Sequence, residues 1–234
     1  MKYYGQYDPP DDKILYEKYF MNYAKRSEDS LEGFFIECGA FDGQTECCCK
    51  FFEETLGWKG INIEASPRIF NRLLVNRPSS FLNLNIALSN KNGKATFKDV
   101  YSPRGNADNN GSLLHKEAHA QKIRDANFYF GTVEVETIRF ADLMEKYQVK
   151  HVDLMALDVE GYEIEVLEGM SGSSVMPDVM FVEYYWSGLE KIKQIMSDYG
   201  YRFEFTKDNV NAVFMNYPPA KDRWAFWTQQ DKNR

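Results

Sequence analysis

Short apolar runs alternate with stretches of helical periodicity along most of the chain. The stretches between the runs place apolar residues three and four positions apart, as amphipathic helices do. The runs are continuous and bounded by glycines or turn residues, which is typical of strands covered on both faces; they are FFIEC, GINIE, FLNLNIA, DLMAL and VMFVE, at 34–38, 60–64, 81–87, 153–157 and 179–183. Strands alternating with helices predict an α/β fold with a mostly parallel sheet and helices on both faces.

Several helix boundaries carry specific signals. Ser66 followed by Pro67 predicts an N-cap and a first helical position. Gly57 predicts a left-handed end for the helix that follows three adjacent cysteines. Ser187 and Glu190 have the spacing of a capping box, which predicts that another helix begins there.

The ends of the chain and one central stretch depart from the alternation. YRFEF and NAVFMN flank a polar turn and predict a C-terminal antiparallel hairpin. Turn-forming residues concentrate around 101–131, which predicts an insertion or lid. We therefore expect an N-terminal helical segment at 1–32, with a helix at 14–25, packed on one domain at 33–217, and a tail at 218–234.

Composition excludes some functions. The 28 lysines and arginines against 35 acids give a formal net charge of −7, which disfavours nucleic acid as a partner because phosphate binding needs clustered cations. The longest apolar runs fall far short of the roughly 20 residues that cross a bilayer, so we expect no transmembrane segment. The N-terminal sequence MKYYGQYDPPDDK lacks the apolar stretch of a signal peptide. We therefore expect a cytoplasmic protein. The adjacent Cys47, Cys48 and Cys49 fit neither the spacing of a zinc site nor an ordinary disulfide arrangement, so we expect four free thiols.

Acidic residues lie at four of the five predicted strand ends. Ligands of open α/β sheets bind beyond the carboxyl ends of the strands. A carboxylate buried there is costly unless it is paired, so several of them indicate a cationic or hydroxyl-rich ligand. The acids at these ends are Glu37, Glu64, Asp158 with Glu160, and Glu183.

The turn after the first strand has glycines suited to ligand binding, but it lacks the sequence pattern of a dinucleotide site. Gly39 and Gly43 allow close backbone approach, yet Phe41 and Gln44 break the GxGxxG pattern, and no phosphate-binding loop occurs. Glu64 ends the second strand, where a carboxylate can accept both ribose hydroxyls, or can instead act as a helix-cap acceptor. A nucleoside met by acids fits S-adenosylmethionine better than NAD or ATP.

Four segments resemble the FkbM-like family of S-adenosylmethionine-dependent methyltransferases. They are FFIECGAFDGQT, LGWKGINIEASPRIFNRLLVNRP, NIALSNKNGKATF and VDLMALDVEGYEIEVLEGM, within about 33–183. The resemblance implies a class I methyltransferase (Rossmann-like) fold and O-methylation, commonly of sugar hydroxyls in glycans or natural products. The chain departs from the family at Ala156, where lysine is common, and at Thr137-Ile138-Arg139, where Thr-Leu-Asp is common.

The resemblance also assigns residues to the cofactor, S-adenosylmethionine. The methionine and ribose side would be held by Glu37, Gly39, Ala40, Asp42, Gly43 and Thr45. Glu64 would bind the ribose hydroxyls, and Ala65, Ser66, Ile86 and Ala87 would surround the adenine. Asp158 would lie near the transferred methyl group.

An alcohol becomes a good nucleophile only when its proton is removed. Asp158 and Glu160 are the favoured bases, although Glu160 could instead brace its turn, and His115 in the lid is a further candidate. On the acceptor side we expect Glu183, Tyr184, Tyr185 and Trp186, whose aromatic rings could stack on a sugar or pack in the core. We expect no metal requirement.

The leading hypothesis is an O-methyltransferase that acts on a sugar hydroxyl, with a deoxyhexose of a glycan or glycoside as the expected acceptor. The alternatives are methylation of a polyketide or other small-molecule hydroxyl, and a non-catalytic binding module of the same fold. The oligomeric state is left open by the sequence.

Overall fold

The computed structural model describes residues 1–21, 33–104 and 110–216. Within these ranges the strands are β1 (Phe34–Cys38), β2 (Lys59–Ile63), β3 (Leu82–Leu84), β4 (Ala87–Ser89), β5 (Gly93–Tyr101), β6 (Tyr129–Arg139), β7 (Leu154–Leu157), β8 (Val179–Glu183), β9 (Tyr201–Lys207) and β10 (Asn211–Asn216). The helices are α1 (Asp11–Leu15), α2 (Lys50–Leu56), α3 (Pro67–Asn76), α4 (Glu117–Asp125), α5 (Phe140–Lys146), α6 (Glu163–Glu168) and α7 (Leu189–Asp198).

A seven-stranded sheet forms the centre of the molecule, in the order β3-β2-β1-β7-β8-β10-β9. The first five of these strands run parallel, and β10 pairs antiparallel with both β8 and β9. The mostly parallel sheet and the C-terminal hairpin are therefore confirmed. This arrangement is the class I methyltransferase fold that the resemblance implies.

Apolar residues of β1 alternate between two cores, one on each face of the sheet. Ile36 packs in the core that also holds Phe140 of α5 and Ile192 of α7. Its neighbour Phe35 faces the other core, with Phe51 of α2. Helices thus cover both faces of the sheet, as predicted. The ends of the strands are not covered by these helices.

A smaller sheet of three strands, in the order β4-β6-β5, lies beside the main one. The run at 81–87, predicted as one strand, divides between them: β3 pairs with β2 in the main sheet and β4 pairs with β6 in the small sheet. The predicted lid at 101–131 contains α4 and the ends of β5 and β6, while 105–109 lies outside the described residues.

Three local predictions differ from the structure. The N-cap of α7 is Gly188, which has no side chain to cap the helix, rather than Ser187. The Ser187 hydroxyl donates to Glu163 instead. Helix α5 follows β6 without the break that would have predicted it. The N-terminal helix begins earlier than predicted, at Asp11, and continues from α1 into a π-helical turn at Tyr16–Phe20.

The N-terminal residues pack on the main sheet. Leu15 and Phe20 are buried in the same core as Phe52 and Trp58. The remainder of the predicted helix, at 22–25, and the predicted tail at 218–234 lie outside the described residues. The Ser66 N-cap and the left-handed Gly57 are confirmed.

All four cysteines fall within the described ranges, and each is a buried free thiol, as expected. In the described part of the chain, no helix is both long enough and apolar enough to cross a membrane.

Candidate functional site

A cavity of about 860 Å³, including its mouth, opens at the carboxyl ends of the strands. Nine of the residues predicted for the cofactor line it, and so does Glu160; the nine are Glu37, Gly39, Ala40, Thr45, Glu64, Ala65, Ile86, Ala87 and Asp158. The parallel topology brings these residues together from four separate stretches of the chain.

The turn after β1 forms the floor of the cavity and requires a glycine. Gly39 has a φ of +84°, and a Cβ atom there would lie 1.7 Å from the Asp158 carbonyl oxygen. The Gly39 and Ala40 N–H groups both donate to the Ile63 carbonyl, at 3.0 Å. The Asp158 N–H donates to the Cys38 carbonyl, also at 3.0 Å. The ends of β1, β2 and β7 are thus fixed against one another.

Glu37 is a buried residue of the cavity wall, and a buried arginine pairs with its charge. Its Oε1 accepts the Cys49 N–H at 2.9 Å, and its Oε2 lies 3.4 Å from the guanidinium of Arg77. Arg77 is itself 2% exposed and also pairs with Glu53. Burying this pair is tolerable because each charge has a partner.

Glu64 is a buried carboxylate held in place by backbone N–H groups. Its Oε2 accepts from Phe41 at 3.0 Å and its Oε1 from Ser66 at 2.8 Å. Removal from water raises its pKa to about 8, although the Ser66 and Phe41 N–H groups oppose the rise. Both oxygens retain lone pairs, so the carboxylate can accept two further hydrogen bonds from a ligand.

The other side of the cavity is apolar and comes partly from the small sheet. Ile69 of α3, Phe97 of β5 and Leu113 join the predicted Ile86 and Ala87. Such a slot suits a flat aromatic ring system. Phe97 and Leu113 were missed because only tertiary packing, and no local pattern, brings the small sheet over the strand ends.

Three residues predicted for the cofactor do not line the cavity but build its supports. Asp42 accepts the N–H groups of Gln44 and Thr45, and also binds Arg72; burial opposes ionisation, but these bonds keep the pKa of Asp42 below its usual value. A Cβ atom on Gly43 would collide with Leu73 and Arg77. Ser66 caps α3 and donates to Asp99.

Three acids meet at the ends of β7 and β8. The carboxylate oxygens of Asp158, Glu163 and Glu183 lie within 4.8 Å of one another. Asp158 faces the open cavity. Glu183 is buried, and its Oε2 has no hydrogen-bond partner among the described residues. Loss of bulk water, inside the cavity for Asp158 and in the protein interior for Glu183, together with repulsion between the carboxylates, raises the pKa values of both groups.

Glu163 organises the turn that carries Asp158 and Glu160. Its Oε1 accepts the Val159 N–H at 3.1 Å and the Gly161 N–H at 2.9 Å, and its Oε2 accepts the Ser187 hydroxyl. Because all three bonds are made inside the protein, Glu163 acts as a brace. It lies in the family string VEGYEIEVLEG, which was its only signal in the sequence.

Glu160 is held by residues from two other parts of the chain. It occupies a left-handed conformation, with a φ of +58°. Its Oε2 accepts the Trp186 indole N–H at 3.1 Å and lies 3.5 Å from Nε2 of His119. The His119 and Trp186 rings are stacked with centroids 4.0 Å apart. Burial, with repulsion from His115, lowers the pKa of His119 to about 4, so the contact between His119 and Glu160 is a neutral one at pH 7.

His115 and all four predicted acceptor residues, Glu183 included, lie outside the cavity wall. His115 is buried, and its Nε2–H donates to the Asn110 carbonyl at 2.6 Å. Tyr184 packs partly against the core. Tyr185 is 52% exposed, with its ring edge-on to Trp186. The two aromatic residues Tyr185 and Trp186 therefore lie next to Glu160 without forming the wall.

Among the residues that the structure describes, two groups of side chains have spacing that could hold a metal ion. One is the acidic group Asp158, Glu163 and Glu183. The other is His151, Asp153 and Asp178, at the opposite edge of the sheet from the cavity. In the second group, His151 Nε2 lies 3.0 Å from Asp153 and 3.1 Å from Asp178, which is the geometry of a salt bridge.

Comparison with known proteins places this architecture in a family. A family model described as the methyltransferase FkbM domain matches residues 37–203. The hexuronic acid methyltransferase AglP of Haloferax volcanii is 26% identical over 157 residues, which cover 65% of this chain and 58% of AglP. The chain therefore spans little more than half of that relative's length.

Solved structures of low sequence identity also align with the chain. Methyltransferase FkbM from Methylobacillus flagellatus aligns with a TM-score of 0.45 at 12% identity, covering 82% of this chain and 47% of that one. The METTL16 methyltransferase domain aligns with a TM-score of 0.48 at 10% identity, covering 90% and 69%.

The family match spans most of the chain, from the end of β1 into β9, and includes the acids at the ends of β2, β7 and β8. The resemblance inferred from the sequence motifs is thus confirmed. The chain belongs to the FkbM methyltransferase domain family.

Proposed function

We propose that this protein is an S-adenosylmethionine-dependent O-methyltransferase that acts on a sugar hydroxyl. The observation that carries the proposal is the contrast between two of the carboxylates in the wall of the cavity. Glu64 is buried and anchored by backbone N–H groups, whereas Asp158 faces open space with a raised pKa. The first is suited to binding a diol and the second to accepting a proton.

The residues present fit the cofactor. Glu64 retains lone pairs for two ribose hydroxyls, and the apolar slot beside it can take an adenine. Gly39 keeps the backbone between β1 and β7 close, where any side chain would collide with Asp158. When bound, S-adenosylmethionine supplies an electrophilic methyl group on a positively charged sulfur. Acids in the cavity wall favour that charge.

Asp158 is the better of the two candidate bases. Glu160 already accepts the Trp186 N–H and contacts His119, which holds its carboxylate in place. Asp158 makes no contact with a cationic side chain among the described residues and borders the cavity. We assign Asp158 to take up the acceptor's hydroxyl proton while the hydroxyl oxygen gains the methyl group and the methyl–sulfur bond breaks, which would leave neutral S-adenosylhomocysteine. Glu160 positions the turn.

We infer that transfer needs no metal ion. Glu163 already accepts three hydrogen bonds from within the protein, and Asp158 and Glu183 share a hydrogen bond. Ca²⁺ sites use about six to eight oxygen ligands, more than this acidic group supplies, and Mg²⁺ bound by one or two carboxylates relies on substrate phosphates as well. Activity should therefore survive exhaustive chelation, and loss of activity that Mg²⁺ restores would overturn the inference.

The acceptor is assigned from the relative and from the aromatic residues. AglP is named a hexuronic acid methyltransferase, and the exposed Tyr185 beside Trp186 offers faces on which a sugar ring can stack. We propose a carbohydrate acceptor on these grounds, with a deoxyhexose as our sequence-based expectation. A cytoplasmic location also stays a prediction, supported by the four unpaired cysteines.

The test combines calorimetry with labelled methyl transfer. Wild-type protein is titrated with S-adenosylmethionine, then incubated with methyl-labelled cofactor and a panel of hexuronic acids, deoxyhexose glycosides and phenolic or polyketide hydroxyls. We expect binding and transfer to a sugar. Asp158→Asn should keep binding and lose transfer by about a hundredfold or more, whereas Asp125→Asn on the exposed end of α4 should match wild type.

Each contrary result has a defined meaning. No heat of binding from folded protein would refute a methyltransferase. Transfer only to non-sugar hydroxyls would refute the sugar assignment. Binding without transfer to any member of the panel would favour a binding module over an enzyme.

A further inference from the structure

A second chamber lies beside the main cavity, and residues of the N-terminal segment form part of its wall. Its empty space, including its mouth, is about 420 Å³. It shares five residues with the main cavity: Glu37, Cys38, Gly39, Glu46 and Asp158. Its remaining wall includes Gln6 and Asp11 from the N-terminal segment and Asn211 from β10. The two spaces therefore meet across Gly39 and Asp158.

The wall of this chamber is acidic. It contains Asp11, Glu37, Glu46 and Asp158, and no lysine or arginine of the described chain lines it. Arg77, which is not part of the chamber wall, forms a salt bridge with Glu37. The other three acids have no such cation in the wall. The chamber is therefore suited to a positively charged group.

Asp11 distinguishes this chamber from an ordinary group of surface acids. It is 4% exposed, and its Oδ1 makes no hydrogen bond within the described part of the chain. A buried unsatisfied carboxylate is costly. Burial raises the pKa of Asp11 to about 6, even though nearby Lys207 opposes the rise. The Lys207 ammonium itself pairs with Asp208.

The adjacent Asp12 shows what a structural acid looks like in the same segment. Asp12 is fully buried, yet its oxygens accept the N–H groups of Tyr4, Gly5 and Lys13, at 2.7, 3.2 and 2.9 Å. Those bonds fold the N-terminal segment. Folding therefore explains Asp12 but leaves Asp11, a residue of the chamber wall, with an Oδ1 that has no hydrogen-bond partner among the described residues.

We propose that Asp11 binds the α-ammonium group at the methionine end of the cofactor, so that the N-terminal segment forms part of the cofactor site. The inference rests on the proposed function, in which Glu64 binds the ribose. The second chamber lies on the far side of Gly39 from Glu64 and the adenine slot. A ligand that is anchored at Glu64 and extends past Gly39 reaches the acidic chamber with its amino-acid end.

The experiment compares two nucleosides that differ in the amino-acid end. S-adenosylhomocysteine carries the ammonium group, and 5′-methylthioadenosine lacks the whole amino-acid portion. Dissociation constants are measured by calorimetry for wild type, Asp11→Asn and the matched control Glu17→Gln, which removes an exposed charge from the same segment. Asp11→Ser serves as a second variant if Asp11→Asn folds poorly.

We expect Asp11→Asn to weaken S-adenosylhomocysteine binding at least about tenfold, because a charge-assisted hydrogen bond is lost. Binding of 5′-methylthioadenosine should be unchanged, and Glu17→Gln should affect neither ligand. The ligand-free Asp11→Asn protein should also melt at a higher temperature than wild type, since it no longer buries an unpaired acid.

Other outcomes overturn the inference in distinguishable ways. Equal weakening of both ligands would show that Asp11 only supports the fold of the cavity. Unchanged binding of both ligands would show that it does not contact the amino-acid end. If wild type binds neither nucleoside, the proposed function fails, and the assignment of Asp11 fails with it.

Discussion

Cofactor affinity should depend on pH through Glu64. The pKa of this buried carboxyl is raised to about 8 in the free protein because burial removes it from water. Only the ionised form can accept both ribose hydroxyls while keeping the N–H bonds from Phe41 and Ser66. Binding should therefore select the ionised form and release a proton.

The magnitude follows from that pKa. With a pKa near 8, about one molecule in eleven is ionised at pH 7, so the apparent affinity is lowered by about elevenfold, or about 1.4 kcal/mol. The direction of the pH effect on affinity follows from the raised pKa, because the carboxyl is mostly protonated, and so unable to bind the diol, below pH 8. Affinity should rise as the pH increases from 6 to 9 and then level off.

Calorimetry can measure the released proton directly. Titrations with 5′-methylthioadenosine at pH 7, in buffers of different ionisation enthalpy, should give about 0.9 proton released for wild type. The ligand keeps the ribose diol and has no amino group to titrate. Glu64→Gln should bind more weakly, release no proton and show no pH dependence, whereas Asp42→Asn should keep the proton release. Wild-type binding that is independent of pH and releases no proton would refute the assignment of Glu64.

Two further predictions concern stability. Hydrogen bonds to Asp153 and Asp178 outweigh the effect of burial and raise the pKa of His151 from 6.5 to about 9. The salt bridges should therefore contribute about 3 kcal/mol to the free energy of unfolding below pH 6.5, and this contribution should be lost as the pH rises through 9. Urea unfolding between pH 6 and 10 should show the loss in wild type and not in His151→Gln, and the same pH dependence in both proteins would contradict the prediction. Gly39→Ala should lower the thermal stability more than the control Gly172→Ala. Gly172 also has a positive φ but has open space around it, so its substitution measures the conformational cost alone, about 1–2 kcal/mol. An equal loss of stability in both variants would show that the Asp158 carbonyl moves aside easily.

The strands were predictable because apolar runs bounded by glycines have few alternatives in an α/β chain. The acids at their ends followed from topology, since parallel strands bring their carboxyl ends to one edge. What the sequence could not distinguish was an acid facing the cavity from one that folds a turn. Asp42 and Glu64 illustrate this, because both accept backbone N–H groups and only Glu64 also borders the cavity.

Long-range packing accounts for the remaining differences. The Ser187 hydroxyl had the spacing of a capping residue, but the buried Glu163 carboxylate is a stronger acceptor and binds it instead. Phe97 reaches the cavity from the small sheet, and Asp11 reaches the second chamber from the N-terminal segment. Periodicity describes neighbours along one element and carries no information about such contacts.

The wall of the second chamber joins the beginning of the described chain to its last strand. Gln6 and Asp11 are synthesised about 200 residues before Asn211, which lies on the same wall. At a typical translation rate of about 5–20 residues per second, the two parts are separated by roughly ten seconds or more. A nascent chain therefore has no complete chamber until β10 has left the ribosome, and tight ligand binding would report that synthesis and folding of this part of the chain are finished.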